Sequence, residues 1–128
     1  MTNPAILIAV GFGGAVGALA RFGTSRVAAR LFGADYPWGT LLVNIGGSFL
    51  MGVIIAWLSV RAPATETMRS FLVVGLLGSF TTFSTFSLDV VTLIERKAYL
   101  GAAGYLTGSV LLSIAGLLLG MFSMRAVL

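Results

Sequence analysis

One stretch of the chain concentrates polar and aromatic side chains inside an otherwise apolar region. Residues 75–87 read GLLGSFTTFSTFS, so glycine, threonine, serine and phenylalanine interrupt a background of leucine and valine. Phe80, Phe83 and Phe86 recur every three residues, which would place their rings along one helix face. Because a phenyl ring has a negative face and a positive edge, such a row could line a path for a cation or an anion. Core packing is the alternative explanation of the same spacing.

Two more polar groups lie within apolar segments, at Asn44 and along residues 105–113. The Asn44 side chain offers two amide donors and one acceptor. Tyr105, Ser109 and Ser113 are spaced four residues apart, so on a helix they form one polar stripe. Either group could contact a small ion, and either could instead form hydrogen bonds between helices.

The titratable residues exclude several kinds of chemistry. The chain has no cysteine and no histidine, which excludes disulfides, thiol redox chemistry, Cys/His zinc sites and imidazole catalysis. Its four acids are Asp35, Glu66, Asp89 and Glu95. They are widely spaced and no nucleophile–base pair is apparent, so we do not expect an enzyme. No acid lies at a mid-membrane position, where cation channels and proton-coupled exporters use Asp or Glu.

The composition places these residues in a membrane. Of 128 residues, 58% are hydrophobic and 9% are charged, whereas soluble domains carry about 25% charged residues. A chain of this size cannot bury so much apolar surface in its own core, so that surface must face the lipid bilayer. The net charge of +4 comes from scattered basic residues, which we interpret as anchors at membrane ends and not as a nucleic-acid surface.

The apolar segments predict an all-α membrane protein with four transmembrane helices in a single domain, residues 1–128. A span needs about 20 mainly apolar residues. The predicted spans cover residues 4–22, 38–60, 68–94 and 99–124. The first helix is expected to continue through Arg21, Arg26 and Arg30, and residues 61–66 are expected to form a polar turn.

The polar stretch falls at the middle of the third predicted span, which predicts a broken helix there. Unwound backbone at membrane depth is tolerated only where protein buries it or where it lines a cavity. Freed carbonyls in such a break can coordinate a small cation, and freed N–H groups favour anions. The phenylalanine row would then lie on the second half-helix. The alternative is an unbroken helix whose hydroxyls donate to the carbonyl four residues earlier.

Basic residues are nearly balanced between the two sides of the membrane. An even number of spans places both termini on one side, together with Arg61, Arg69 and Arg125. The opposite side carries Arg26, Arg30, Arg96 and Lys97, and Arg21 if it reaches the surface. Because a basic excess in short loops sets orientation, the near balance allows both orientations and hence an antiparallel dimer. A single orientation is the alternative.

Glycine spacing indicates close helix contacts. The pairs Gly13/Gly17, Gly104/Gly108 and Gly116/Gly120, together with Ser48/Gly52, are small residues separated by three others. Such spacing lets helix backbones approach closely, so we expect a tightly packed, oligomeric bundle.

Arg21 and Asp89 are charged residues near the ends of predicted spans. Arg21 could draw anions into a vestibule or pair with Asp89. Its long side chain could also extend to the membrane surface.

Three stretches, residues 13–21, 39–44 and 78–86, resemble the Fluc (CrcB) fluoride channels of microbes. They read GGAVGALAR, GTLLVN and GSFTTFSTF, and they occur in the family's order across three spans. The TTFSTF segment is the most specific of them. The length and the fourth span also agree, so the resemblance covers essentially the whole chain.

This resemblance implies a dual-topology homodimer, in which the second copy has the opposite orientation. It implies a multi-pass protein of the cell (inner or plasma) membrane that exports fluoride passively and lowers its cytoplasmic concentration. It also implies a structural sodium ion (Na+) at the dimer interface, which is not transported.

The resemblance assigns residues to the fluoride pathway. Phe83 and Phe86 would be the pore phenylalanines, with their ring edges toward fluoride, and Asn44 would donate to the ion. The hydroxyl track of the family is matched by Thr40, Tyr105, Ser109 and Ser113.

The resemblance also covers the metal and the charged residues. The backbone carbonyls of Gly78 and Thr81 match those that hold sodium. Arg21 matches the family's arginine at the end of the first helix, as a vestibule or structural charge. Asp89 stands where family members usually have glutamate, which leaves its pairing open.

Two other functions are compatible with a small four-span protein. A small multidrug-type exporter of cationic compounds needs a membrane-embedded glutamate in its first span, and this first span has no acid. A non-transporting subunit that scaffolds a partner would leave the break in the third span unexplained.

Overall fold

The computed structural model describes residues 3–60 and 65–128, and within these ranges the chain is helical. Its helices in chain order are α1 (Pro4–Phe32), α2 (Trp38–Val60), α3 (Glu66–Arg69), a π-helix (Ser70–Leu77), α4 (Gly78–Phe80), α5 (Ser84–Glu95) and α6 (Tyr99–Val127). Four helical segments are long and apolar enough to cross a membrane: Pro4–Phe32, Trp38–Val60, Glu66–Glu95 and Tyr99–Val127. The predicted all-α, four-span membrane protein is thereby confirmed.

The observed spans follow the predicted boundaries with small differences. The first helix continues through Arg30 as expected and ends at Phe32, while the fourth extends three residues further, to Val127. Arg61 and residues 62–64 of the predicted polar turn lie outside the described residues. Exposed leucine, isoleucine and phenylalanine side chains cover the outside of the bundle, as expected of a surface that faces lipid.

Local sequence explains where the first and third spans begin. The Asn3 side chain accepts a hydrogen bond from the Ala5 N–H at 2.9 Å, and Pro4 occupies the first turn of α1. Thr65 caps α3 in the same way, since its hydroxyl oxygen accepts from the Met68 N–H at 3.1 Å. Both caps satisfy backbone donors that have no partner inside a helix.

Glycines bring two pairs of helices into backbone contact. In α1, a Cβ atom at Gly13 would lie 2.7 Å from the Phe71 carbonyl oxygen, and one at Gly17 would overlap the Leu76 carbonyl oxygen. Between α2 and α6, a Cβ atom at Gly52 would overlap the Leu117 carbonyl oxygen, and one at Gly120 would overlap the Phe49 carbonyl oxygen. The close packing predicted for these glycines is therefore confirmed, and it occurs within one subunit.

The glycine pair Gly104/Gly108 behaves differently. A Cβ atom at either position would meet no atom within 4 Å among the described residues. The expected close helix approach is therefore not made here inside the subunit.

The third span is broken at its middle, as predicted. Helix α4 ends at Phe80, Thr81 has extended backbone angles (φ −90°, ψ 159°), and α5 begins at Ser84. We considered hydroxyl bonds to the carbonyl four residues earlier as an alternative to a break. The structure contains both the break and such bonds. The Thr81 and Ser87 hydroxyls donate to the carbonyls four residues earlier, at 2.9 and 3.0 Å.

A π-helix precedes the break, and no feature of the sequence pattern indicated it. At its end, the N–H of the following residue, Gly78, donates to the Val73 carbonyl five positions earlier and also to the Gly75 carbonyl. π-Helical turns are rare and occur frequently at functional sites. Here only the three-residue α4 separates the π-helix from the unwound segment.

Candidate functional site

The break opens onto a cavity of about 420 Å³, which lies between α2, the third span and α6 and combines polar with aromatic and aliphatic side chains. Its lining consists of Asn44, Ser48, Gly78, Thr81, Thr82, Phe83, Phe86, Ser109, Val110, Ser113 and Ile114. Most of the residues singled out from the sequence are thus brought together in one place. Thr40, Tyr105 and Arg21 are the predicted residues that do not line it.

Asn44 holds the unwound backbone in place. Its amide nitrogen donates to the Thr82 carbonyl at 2.9 Å, and its amide oxygen accepts from the Thr82 N–H at 2.8 Å. Both backbone groups of a residue outside any helix are thereby satisfied. A primary amide carries two N–H groups, so Asn44 keeps one donor beyond this pair at the cavity wall.

The phenylalanines of the predicted row are divided by the break. Phe80 ends the first half-helix, so its expected place on the second half-helix is wrong. The row is split because the unwound residues 81–83 interrupt the helical repeat. Phe83 and Phe86 remain adjacent across the start of α5, with ring centroids 5.6 Å apart and planes inclined by 54°.

These two rings have different surroundings within the subunit. Phe86 is 6% exposed and packs against Tyr105 with a centroid distance of 5.3 Å. Phe83 is 77% exposed and forms the open side of the cavity. The subunit itself therefore covers the Phe86 ring, whereas it leaves the Phe83 ring uncovered.

Ser109 and Ser113 of α6 line the cavity as the four-residue spacing predicted. The Ser109 hydroxyl oxygen is buried and has no hydrogen-bond partner among the described residues. Leaving a buried hydroxyl unpaired costs about 1–3 kcal/mol, so Ser109 holds an unused donor at the cavity wall. Ser48 also lines the cavity, and its spacing of four residues from Asn44 was the signal that could have revealed it.

Tyr105 and Thr40 lie behind the cavity wall. The Tyr105 ring is 1% exposed, and its hydroxyl donates to Asp89 Oδ2 at 2.9 Å. Thr40 is 7% exposed. Asp89 thus has its partner on α6, and the pairing with Arg21 that the sequence allowed is not made.

Arg21 reaches the break from α1. Its Nε–H donates to the Ser79 carbonyl at 3.0 Å, and the side chain is half-buried. The side chain therefore points toward the third span and not along the lipid to the membrane surface.

Carbonyl groups around the break fall into two sets. Those of Leu77, Ser79 and Thr82 accept hydrogen bonds from Thr81, Arg21 and Asn44 respectively. Among the bonds formed by the described residues, none goes to the carbonyls of Gly78, Phe80 and Thr81. Of these three residues, Gly78 and Thr81 line the cavity, and neutral oxygens of this kind suit a hard cation such as sodium.

The Gly78 position also has room beside it. A Cβ atom at Gly78 would lie in ordinary contact, 3.4 Å from the Val73 carbonyl oxygen, so packing within the subunit does not require glycine there. No group of three or more His, Cys, Asp or Glu side chains that could hold a metal occurs in the described part of the chain. Any cation at the break would therefore be held by neutral backbone, hydroxyl or amide oxygens and not by a cluster of such side chains.

The fold and the site together define a class of protein. Of the four apolar spans, the second, third and fourth line an open cavity of hydroxyl, amide, aromatic and aliphatic groups, at the point where the third span unwinds. This arrangement is that of a multi-pass membrane protein with polar groups gathered inside the apolar region.

Comparison with known proteins identifies the family. The family model described as "CrcB-like protein, Camphor Resistance (CrcB)" matches residues 8–121, and the chain belongs to this family. The resemblance found in the sequence is thereby confirmed. The family is one of ion channels and not of enzymes, which confirms that this chain is not an enzyme.

Similar curated proteins carry the name "Fluoride-specific ion channel FluC". The protein of Caulobacter sp. (strain K31) is 45% identical over 122 residues, covering 94% of this chain and 95% of the relative. The protein of Rhodospirillum centenum is 48% identical over 121 residues, which cover 94% of this chain and 95% of the relative. The protein of Cereibacter sphaeroides (strain ATCC 17029 / ATH 2.4.9) is 50% identical over 119 residues, which cover 93% of this chain and 94% of the relative.

Replacing Asn44 tests its role in holding the break. We expect Asn44→Ala to lower the free energy of unfolding by about 2 kcal/mol, because the N–H and C=O of Thr82 lose their partners. The matched control is Ser48→Ala, one turn further along the same cavity wall, which we expect to cost less than about 0.5 kcal/mol. Thermal unfolding in detergent measures both, and equal losses would contradict the assignment.

Proposed function

We propose that this protein is a fluoride-selective ion channel. The observation that carries the proposal is the cavity, which brings the spare Asn44 amide donor, the unpaired Ser109 hydroxyl and the rings of Phe83 and Phe86 together. The names of the relatives, fluoride-specific ion channels at 43–50% identity, support the same ion.

The chemistry of the lining suits a small, strongly hydrated anion. A pore must replace the water around the ion with fixed donors and still bind weakly enough for release. Hydroxyl, amide and ring-edge groups are neutral donors of moderate strength, and no Lys or Arg is among the residues that line the cavity. A full positive charge at this point would retain the anion.

The pathway that we propose extends beyond the cavity. Asn44, Phe83, Phe86, Ser109 and Ser113 contact the ion directly. Thr40 and Tyr105 continue the hydroxyl track behind Phe86, where the Tyr105 hydroxyl is held by Asp89.

We infer that transport is passive and that it exports fluoride across the cell membrane. Proton coupling needs a titratable group in the path, and no acid lines the cavity. Passive efflux of an ion that enters as its neutral acid would lower the cytoplasmic fluoride concentration. A small multidrug-type exporter is not favoured, because α1 contains no acid that could bind a cationic compound.

We infer that a structural sodium ion is bound by the Gly78 and Thr81 carbonyls. What supports this is that neither carbonyl accepts a hydrogen bond, whereas the neighbouring Leu77, Ser79 and Thr82 carbonyls do. The ion would compensate two carbonyl oxygens that have no hydrogen-bond donor within the subunit. It is not transported.

We infer that two copies assemble with opposite orientations. The cavity is open along one side of the subunit, and both Phe83 and Gly78 are exposed at that opening. Exposed peptide oxygens at membrane depth need a protein partner, because lipid offers no hydrogen-bond donor. The nearly balanced basic residues at the two membrane faces allow the second copy to insert the other way round.

Ion efflux from liposomes that contain the purified protein tests the proposed selectivity. We expect fluoride efflux to exceed chloride efflux by at least about a hundredfold, because fixed neutral donors at close range favour the smaller anion. Fluoride efflux only a few times faster than chloride efflux would rule out the selectivity.

A variant pair refines this measurement. We expect Ser109→Ala to reduce fluoride efflux roughly tenfold, because one hydrogen-bond donor to the ion is lost. Ser123→Ala is the matched control, since Ser123 lies on the same helix and is exposed. It should leave the efflux unchanged.

Exchange of the cation tests the proposed sodium site. Replacing sodium on both sides of the liposome with a large organic cation should reduce fluoride efflux at least about tenfold, because backbone carbonyls are spaced for a small ion. The same flux in both media would reject a required sodium ion. Potassium, which is larger than sodium and smaller than the organic cation, is the control for the size of the cation.

Labelling of single cysteines tests the opposite orientations, and the chain contains no cysteine of its own. Tyr99→Cys and Val127→Cys place thiols at the two ends of α6, where the native side chains are 62% and 83% exposed, without altering any charge. With dual topology, a membrane-impermeant thiol reagent added to intact cells labels about half of each variant. Full labelling of one variant and none of the other would show a single orientation.

A further inference from the structure

Arg21 is bound to the third span at the point where its first half ends. Its Nε–H donates to the Ser79 carbonyl at 3.0 Å. Ser79 directly follows Gly78 and lies two residues before Thr81. The carbonyls of Gly78 and Thr81 accept no hydrogen bond from the described residues. The bond from α1 therefore restrains the backbone between two residues that line the cavity.

The backbone of α1 lies unusually close to this segment. Gly17 precedes Arg21 by one helical turn on the same face, and a Cβ atom there would overlap the Leu76 carbonyl oxygen. The same Cβ would lie 3.1 Å from the Phe80 backbone nitrogen. Because the two backbones touch at Gly17, the Arg21 side chain reaches Ser79 from a fixed distance and direction.

The end of a half-helix is a suitable place for a guanidinium group. Its last carbonyls lack partners inside the helix and carry the negative end of the helix dipole. A hydrogen bond from a charged donor is shorter and stronger than a neutral one. Asn44 holds Thr82 on the other side of Thr81, so α1 and α2 restrain the break from two directions.

We propose that Arg21 is a positioning residue, which sets the orientation of the Gly78 and Thr81 carbonyls through its bond to Ser79. It acts through the direction of its Nε–H and not by drawing anions toward the pore with its charge. The part of this proposal that concerns ion flux rests on the proposed function, while the part that concerns the break itself is independent of it.

The substitution Arg21→Lys distinguishes the effect of the direction of the Nε–H bond from the effect of the positive charge. Lysine keeps the positive charge of Arg21, but its ammonium group is a point charge at the end of a flexible chain and has no donor at the Nε position. If charge alone matters, Arg21→Lys conducts normally and Arg21→Gln does not. If direction matters, both variants are impaired.

Arg26 provides matched controls on the same helix. It is exposed, and its guanidinium lies 5.5 Å from the centre of the Phe22 ring, away from the break. Arg26→Lys and Arg26→Gln therefore report the effect of changing a surface arginine of α1. We expect both to behave like the unmodified protein.

The first measurement is hydrogen exchange of the backbone amides in residues 78–84, made on the full chain in detergent or lipid discs. Losing the bond to Ser79 should speed exchange at the Thr81 and Thr82 amides roughly tenfold in both Arg21 variants, and in neither Arg26 variant. Unchanged exchange in Arg21→Lys would overturn the proposal. Arg21→Lys carries the test by itself if Arg21→Gln does not fold.

The second measurement is the sodium concentration that gives half-maximal fluoride efflux. We expect Arg21→Lys to raise it roughly tenfold, since misdirected carbonyls hold the cation less well, with efflux recovering toward normal at high sodium. Loss of folded protein would lower the maximal efflux without moving this concentration, which would count against positioning. Absence of fluoride efflux from the unmodified protein would reject the proposed function, and hydrogen exchange would still decide the role of Arg21.

Discussion

Unwound backbone in the middle of a membrane must find hydrogen-bond partners within the protein, because lipid offers none. Residues 81–83 leave the helix in the third of four spans, and this requirement governs much of the surrounding structure. The partners come from far away in the sequence. Asn44 of α2 binds both backbone groups of Thr82, and Arg21 of α1 binds the carbonyl of Ser79.

Such long-range bonds require helices that lie close together and do not move. Glycines at the contacts between α1 and the third span, and between α2 and α6, let the backbones touch. Lipid provides no hydrophobic drive for helices to associate, so packing and hydrogen bonds must supply the stability. The same close contacts that stabilise the bundle therefore fix the donors that hold the break.

The cavity combines two opposing demands. For the anion pathway that we propose, it must offer enough donors to compensate a small anion for its lost water, and it must not bind that anion permanently. Neutral groups from three elements meet this need, with the Ser109 hydroxyl left unpaired inside the subunit. The charged side chains near the break are occupied elsewhere, Arg21 with Ser79 and Asp89 with Tyr105. Their charges are thus kept out of the cavity wall.

The sequence by itself determined the membrane location, the four spans, the break and most of the residues that line the cavity. Hydrophobic length and the local cluster of glycine and hydroxyl residues carry these features, because they depend on neighbouring residues only. The π-helix, the place of Phe80, and the partners of Asn44, Arg21 and Asp89 were decided by the tertiary structure. Each of these depends on how closely separate helices approach and where a side chain then ends, and periodicity along one helix carries no such information.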